Sequence, residues 1–147
     1  MATQTRNPTL VEPDRIAPPT AAPTTPNDQG MLLELILRGT TEAAVATKLQ
    51  VTPQLCQLGL DILSWQKLKA RLPSHLPLGT KIAHKTGTGS RGFMDAGIVF
   101  KGGSPLYILT AYTEHVPEAL ADGTPGFTAA NTLIGRMARV AWDALGT

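Results

Sequence analysis

Before residue 70 the apolar positions recur at helical spacing. Thr25-Pro26-Asn27-Asp28 suits a helix start, with threonine as cap, proline at the first helical position and an acid at capping-box spacing. Met31, Leu32, Leu35 and Ile36 follow on one face, and Gly39 supplies a stop. A short helix is predicted from Glu42 to Leu49. A third runs from Pro53 through Leu68, apolar at Leu55, Leu58, Ile62 and Trp65 on one face. Pro73 and Pro77 then break the chain, and the texture changes. Gly79 to Gly103 holds seven of the fourteen glycines. Strands are predicted over Thr80–Thr86, Ala96–Phe100 and Leu106–Thr113, with Gly102-Gly103 as a hairpin turn. Connections this short imply an antiparallel meander. The last helix spans Thr128 to Leu145, with Ala130, Leu133, Ile134, Met137, Ala141 and Trp142 as its apolar stripe and Arg136, Arg139 and Asp143 facing out. The fold class is mixed α/β (α+β), an antiparallel sheet flanked by helices, with no internal repeat.

Composition sharpens this picture. Residues 1–24 contain Pro8, Pro13, Pro18, Pro19 and Pro23 and read as loop, because proline lacks an amide proton and restricts its predecessor. All seven aromatics lie at Trp65 or later, so the core is expected in the rest of the chain, residues 25–147. A length of 147 residues suits one domain, and 42% apolar against 16% charged residues excludes wholesale disorder. A net charge of +2 gives no pull toward nucleic acid. No apolar run reaches the ~18–20 residues that span a bilayer. The lone Cys56 excludes an internal disulfide and a cysteine-based zinc site, and reads as a small core residue. His75, His84 and His115 are scattered and make a poor metal site. Met1 to Pro8 lack the basic-then-apolar pattern of a signal peptide.

The stretch that carries chemistry is Ala83-His84-Lys85-Thr86-Gly87-Thr88-Gly89. A bare Lys-Thr-Gly is a weak signal, but here it ends a predicted strand and precedes a turn and a second strand. With it go Thr25-Pro26 and the helix that follows, Leu72-Pro73 through Leu76-Pro77-Leu78-Gly79-Thr80, and Asp95-Ala96-Gly97-Ile98-Val99. In these elements the chain resembles the class A β-lactamase-like family of the serine β-lactamase and penicillin-binding-protein superfamily, of which Lys-Thr-Gly is one motif. The match covers about residues 24–145 and corresponds to the C-terminal part of such a domain.

The resemblance implies that substrate lies along the edge of the strand bearing the motif. Lys85 then binds the carboxylate of a β-lactam or of an acyl-D-Ala-D-Ala peptide and assists proton transfer. Thr86 donates its hydroxyl to the same carboxylate, and Gly87 lets the substrate approach the backbone. The amide of Thr88 is half of an oxyanion hole. Arg91 is a further candidate for the carboxylate, against the plainer reading of a solvated turn residue. Strand alternation points His84 to the face opposite Lys85, which makes it a packing or solvent-facing residue rather than a catalytic one, and Asp95 is expected to fix the turn into the second strand. No cofactor and no metal are implied.

Other parts of the family pattern are missing. Ser64-Trp65-Gln66-Lys67 matches Ser-x-x-Lys but lies on the wrong side of the motif order and reads as coincidence. No asparagine stands two after a serine or tyrosine, so Ser-Asp-Asn is absent. Glu12 is the best match to the family's water-activating glutamate. Arg15 and Ile16 stand where that pattern has leucine and asparagine, which points to weak deacylation. The expectation is therefore the C-terminal portion of a serine hydrolase, inactive alone, with residues 1–24 an omega-loop remnant or a disordered leader and the nucleophile on a separate N-terminal portion. It carries the corollary of uncovered apolar surface around Met31–Leu37 and Leu55–Trp65. A D,D-peptidase or penicillin-binding-like protein, and a non-catalytic binding module derived from the fold, stand as alternatives. The family works outside the cytoplasm, which leaves the compartment open.

Overall fold

The computed structural model describes residues 24–89 and 91–146. The proline-rich loop expected over residues 1–24, Glu12 included, lies outside them except for Thr24. Helix α1 (Pro26–Gly39) begins as its sequence dictates. Thr25 Oγ1 accepts the Asp28 N–H at 3.2 Å, and the Asp28 carboxylate accepts the Thr25 N–H at 2.8 Å. Helices α2 (Ala43–Lys48) and α3 (Pro53–Ser64) follow, the latter capped by Thr52. Helix α3 stops short of the predicted Leu68. Ser64 Oγ donates back to Leu60 O, and the Gln66 side chain takes the Leu68 N–H.

A 3-10 turn (Leu72–His75) leads to strands β1 (Ile82–Thr88), β2 (Phe93–Lys101) and β3 (Ser104–Thr113). They form one antiparallel sheet in the order β1-β2-β3, which leaves β1 at an edge among the described residues. Each strand runs past its predicted bounds. Strand β1 starts two residues late because Thr80 is held in a turn by Pro77 O, and it ends two residues late, so Lys85-Thr86-Gly87 lies inside the strand rather than closing it. The β2–β3 turn uses Gly102 and Gly103 at φ 59° and 87°, a pair of left-handed conformations that favours glycine. Helix α4 (Gly126–Leu145) closes the chain.

The sheet carries helices on both faces. On one, Leu33 of α1 and Leu60 of α3 meet Ala83, Ala96, Ile98 and Phe100. On the other, Ala130, Ile134 and Ala138 of α4 meet Leu72, Phe93 and Ala111. Tyr107 ties the sheet to α4 through a 2.6 Å hydrogen bond to Ala138 O. The packed side of α4 is therefore narrower than its predicted stripe, and Leu133 and Met137 stand exposed. Helix α3 differs more. Its predicted apolar face, Leu55, Leu58, Ile62 and Trp65, is exposed, while Cys56 and Leu60 are buried. Apolar residues occur nearly all round this helix, and the sheet covers only one side. No helix among the described residues is long and apolar enough to cross a membrane.

Two predictions follow from the packing. The stripe Leu55, Leu58, Ile62 and Trp65, with Met31 and Leu32 also exposed, makes the chain bind an apolar-sensing dye and self-associate. Dye fluorescence and sedimentation check this, and a monomer that leaves the dye dark contradicts it. Gly97 is the second. A Cβ there would lie 2.5 Å from His84 Cβ and 3.0 Å from Ala83 O. Gly97→Ala is expected to lower stability by about 1–3 kcal/mol in urea unfolding, the usual cost of overpacking.

Candidate active site

The antiparallel ladder decides which atoms of β1 are free. Lys81 O accepts from Phe100 N–H at 3.0 Å, and Gly89 N–H donates to Gly92 O at 2.8 Å. With Ile82 opposite Val99 and Thr88 opposite Phe93, odd-numbered residues of β1 form the hydrogen-bonded pairs. The main-chain N–H and C=O of Thr86 and Thr88 therefore point to the open edge, away from β2. The same alternation sends side chains to opposite faces. Lys85 is exposed on the α1/α3 side, and its ammonium donates to Thr86 O. Thr86 is buried on the α4 side, where its partner across the ladder is Asp95.

Gly87 has an informative surround. A Cβ there would meet nothing closer than Met94 at 3.6 Å, an ordinary contact, and its φ is not in the left-handed region. Neither packing nor backbone conformation asks for glycine at this position.

Beneath the motif lies a buried polar layer. His84 and Asp95 have no solvent exposure, and His84 Nδ1 stands 2.9 Å from Asp95 Oδ1. Facing a carboxylate, Nδ1 carries the ring proton. Asp95 Oδ2 also accepts the Leu72 N–H at 3.1 Å. His84 is thus a packing residue, on the face opposite Lys85. Asp95 sits inside β2, not in the turn before it. His84 Nε2 has no partner among the described residues.

Arg71 was invisible in the sequence patterns and is the most connected side chain here. Its Nη1 donates to Gly87 O at 2.6 Å and Met94 O at 2.7 Å, Nη2 to Thr88 Oγ1 at 2.6 Å, and Nε to Asn131 Oδ1 of α4 at 2.8 Å. The guanidinium also stacks over Phe93. Burial pushes its pKa down, opposed by the charge of Asp95. Its one local trace in the sequence is Arg71-Leu72-Pro73, a cation placed just before an apolar turn.

The other candidates disperse. Arg91 spends Nε and Nη2 on Val116 O and His115 O, so it staples the loop after β3 to the β1–β2 turn. Ser64 is bonded back into its own helix, and Lys67 is exposed. Glu12 lies outside the described residues.

The fold that carries these residues has known counterparts. Residues 2–145 match the model of the β-lactamase enzyme family, and the chain belongs to that family. The fold is that of a β-lactamase from Sphaerobacter thermophilus (22% identity, TM-score 0.65, covering 84% of this chain and 41% of that one). It is also that of a class A β-lactamase from Bacteroides cellulosilyticus (18%, 0.64, 83% and 41%) and of PBP-A (24%, 0.64, 82% and 39%). The chain thus spans about two-fifths of the length of the solved structures it matches. No curated protein sequence matches it significantly.

The open surround of Gly87 sets an expectation. Gly87→Ala should shift the unfolding free energy by less than about 1 kcal/mol, since no native contact is violated and the unfolded chain loses freedom. Equilibrium unfolding checks it, and a loss as large as that of Gly97→Ala would show a packing role.

Proposed function

We propose that this chain supplies the substrate-binding strand of a serine β-lactamase-like hydrolase. Lys85 binds the substrate carboxylate, and Thr86 adds its edge-facing main-chain N–H because its buried hydroxyl lies on the face opposite Lys85. Gly87 admits the substrate to the strand edge, and the Thr88 amide donates to the oxyanion. Residues 25–147 are the C-terminal part of that domain, and residues 1–24 its loop remnant bearing Glu12. The Ser-x-x-Lys nucleophile comes from a separate N-terminal portion. The observation that carries the reading is the open edge of β1. There the Thr86 and Thr88 main-chain groups are unpaired by β2 and the Lys85 ammonium stands beside them. A glycine that the fold does not need separates the two threonines.

The chemistry is acyl transfer. The serine oxygen attacks the β-lactam carbonyl, the oxygen of that carbonyl takes up negative charge against the Thr88 N–H, and the ring C–N bond breaks as the nitrogen gains a proton. Water then hydrolyses the ester, which regenerates the serine. An ammonium near the substrate carboxylate holds the acceptor in line for attack.

A second reading, D,D-peptidase or penicillin-binding chemistry, is supported by the equal likeness to PBP-A, a variant of which is known as an acyl-enzyme complex with penicillin G. Both readings share the acylation step and part at deacylation.

Alone, the chain is expected to leave nitrocefin intact and to take no covalent label from a fluorescent penicillin. Mixed with an N-terminal portion bearing Ser-x-x-Lys and Ser-Asp-Asn, it should support acylation. Lys85→Met should slow that step by about 10- to 100-fold, the worth of a hydrogen bond to a charged group. Label that accumulates without nitrocefin turnover favours the peptidase reading. Labelling of Ser64, or indifference to Lys85→Met, overturns both.

A further inference from the structure

Arg71 as a whole residue is 7% exposed, and among the described residues no carboxylate lies within ion-pair distance of its guanidinium. Burying a cation is costly unless it is well hydrogen-bonded. Here the bonds go to neutral oxygens, and two of them converge on one peptide unit and its side chain. Gly87 O accepts from Nη1 and Thr88 Oγ1 from Nη2, both at 2.6 Å.

Gly87 C=O and Thr88 N–H are the two ends of a single planar amide. In the ladder they point in opposite directions, the carbonyl toward β2 and the N–H toward the open edge. We propose that Arg71 is a positioning residue for the Thr88 N–H: it grips the carbonyl end of that peptide, fixes its plane and polarises it, so that the N–H at the other end becomes a stronger donor. The proposal rests on the reading of Thr88 as an oxyanion donor given above.

Three features favour this over a purely structural clamp. A cation on the carbonyl oxygen draws electron density from the amide nitrogen, and in a buried setting that polarisation is poorly screened. Arg71 Nη1 bridges Gly87 O and Met94 O, the two carbonyls of one ladder pair, so it cannot tilt without breaking both bonds. The guanidinium is itself fixed, by Asn131 at Nε, by Phe93 beneath the fork, and by Asp95, which holds the next residue through the Leu72 N–H. A flexible lysine would supply the charge but not the fork.

The test uses the whole chain, isotope-labelled, without substrate. Water-exchange NMR reads the Thr88 amide, whose base-catalysed exchange rises with its acidity. Arg71→Met is expected to slow Thr88 exchange by about 10-fold, one unit of acidity, and Arg71→Lys to restore part of it. A role confined to packing predicts the reverse sign, since a loosened strand exchanges faster. Unchanged or faster exchange in a natively folded Arg71→Met would overturn the proposal. A second measurement needs no substitution. The Gly87 carbonyl carbon should resonate downfield of the Lys85 carbonyl, whose ladder position is equivalent, after correction for residue type. Equal shifts would overturn it too. Neither readout involves catalysis. A polarised Thr88 in a chain that never supports acylation would therefore refute the functional reading and leave Arg71's effect standing.

Discussion

Asp95 has no contact with solvent, and the buried acid must find donors inside the protein. It finds two, from parts of the chain that are far apart in sequence: the ring of His84 on β1 and the main-chain N–H of Leu72 at the 3-10 turn. One carboxylate thereby holds the edge strand in register and pins the segment before it. Arg71 is where it is because Leu72 is held, and the guanidinium then spans β1, β2 and α4. The missing side chain at Gly97 makes room for this, since His84 and Leu72 occupy the space a Cβ would take.

The split between the two faces of β1 comes from the same register. Lys85 faces the α1/α3 side and remains exposed, while His84, Thr86 and Thr88 face α4, the first two buried. The charge available to a ligand and the groups that stiffen the strand are thus separated by one residue. Substitutions meant to alter binding can be placed on one face without disturbing the polar layer on the other.

Most elements could be read from the chain because their signals are local. The Thr25-Pro26-Asn27-Asp28 cap, the Gly102-Gly103 turn and the alternation that hides His84 from Lys85 need only neighbouring residues. What was not legible depends on contacts distant in sequence. Arg71 reaches residues 16, 17, 23 and 60 positions away, so no spacing rule marks it. The packed side of α3 was not legible for a different reason. Leu55, Leu58, Ile62 and Trp65 form as good an apolar stripe as Cys56 and Leu60 do, and only the placement of the sheet decides between them. Asp95 read as a turn residue because a buried acid within a strand is rare without its partner in view.

The free edge of β1 also sets a length. Thr86 and Thr88 are two residues apart, and an extended chain advances about 3.4 Å per residue. Their outward amides are therefore spaced by about 7 Å along a rigid line. A molecule that engages both must carry its two acceptor atoms at that separation, whatever else it contains. If β1 binds its ligand as proposed, the strand would act as a gauge that selects by the distance between polar groups before any side chain acts on them.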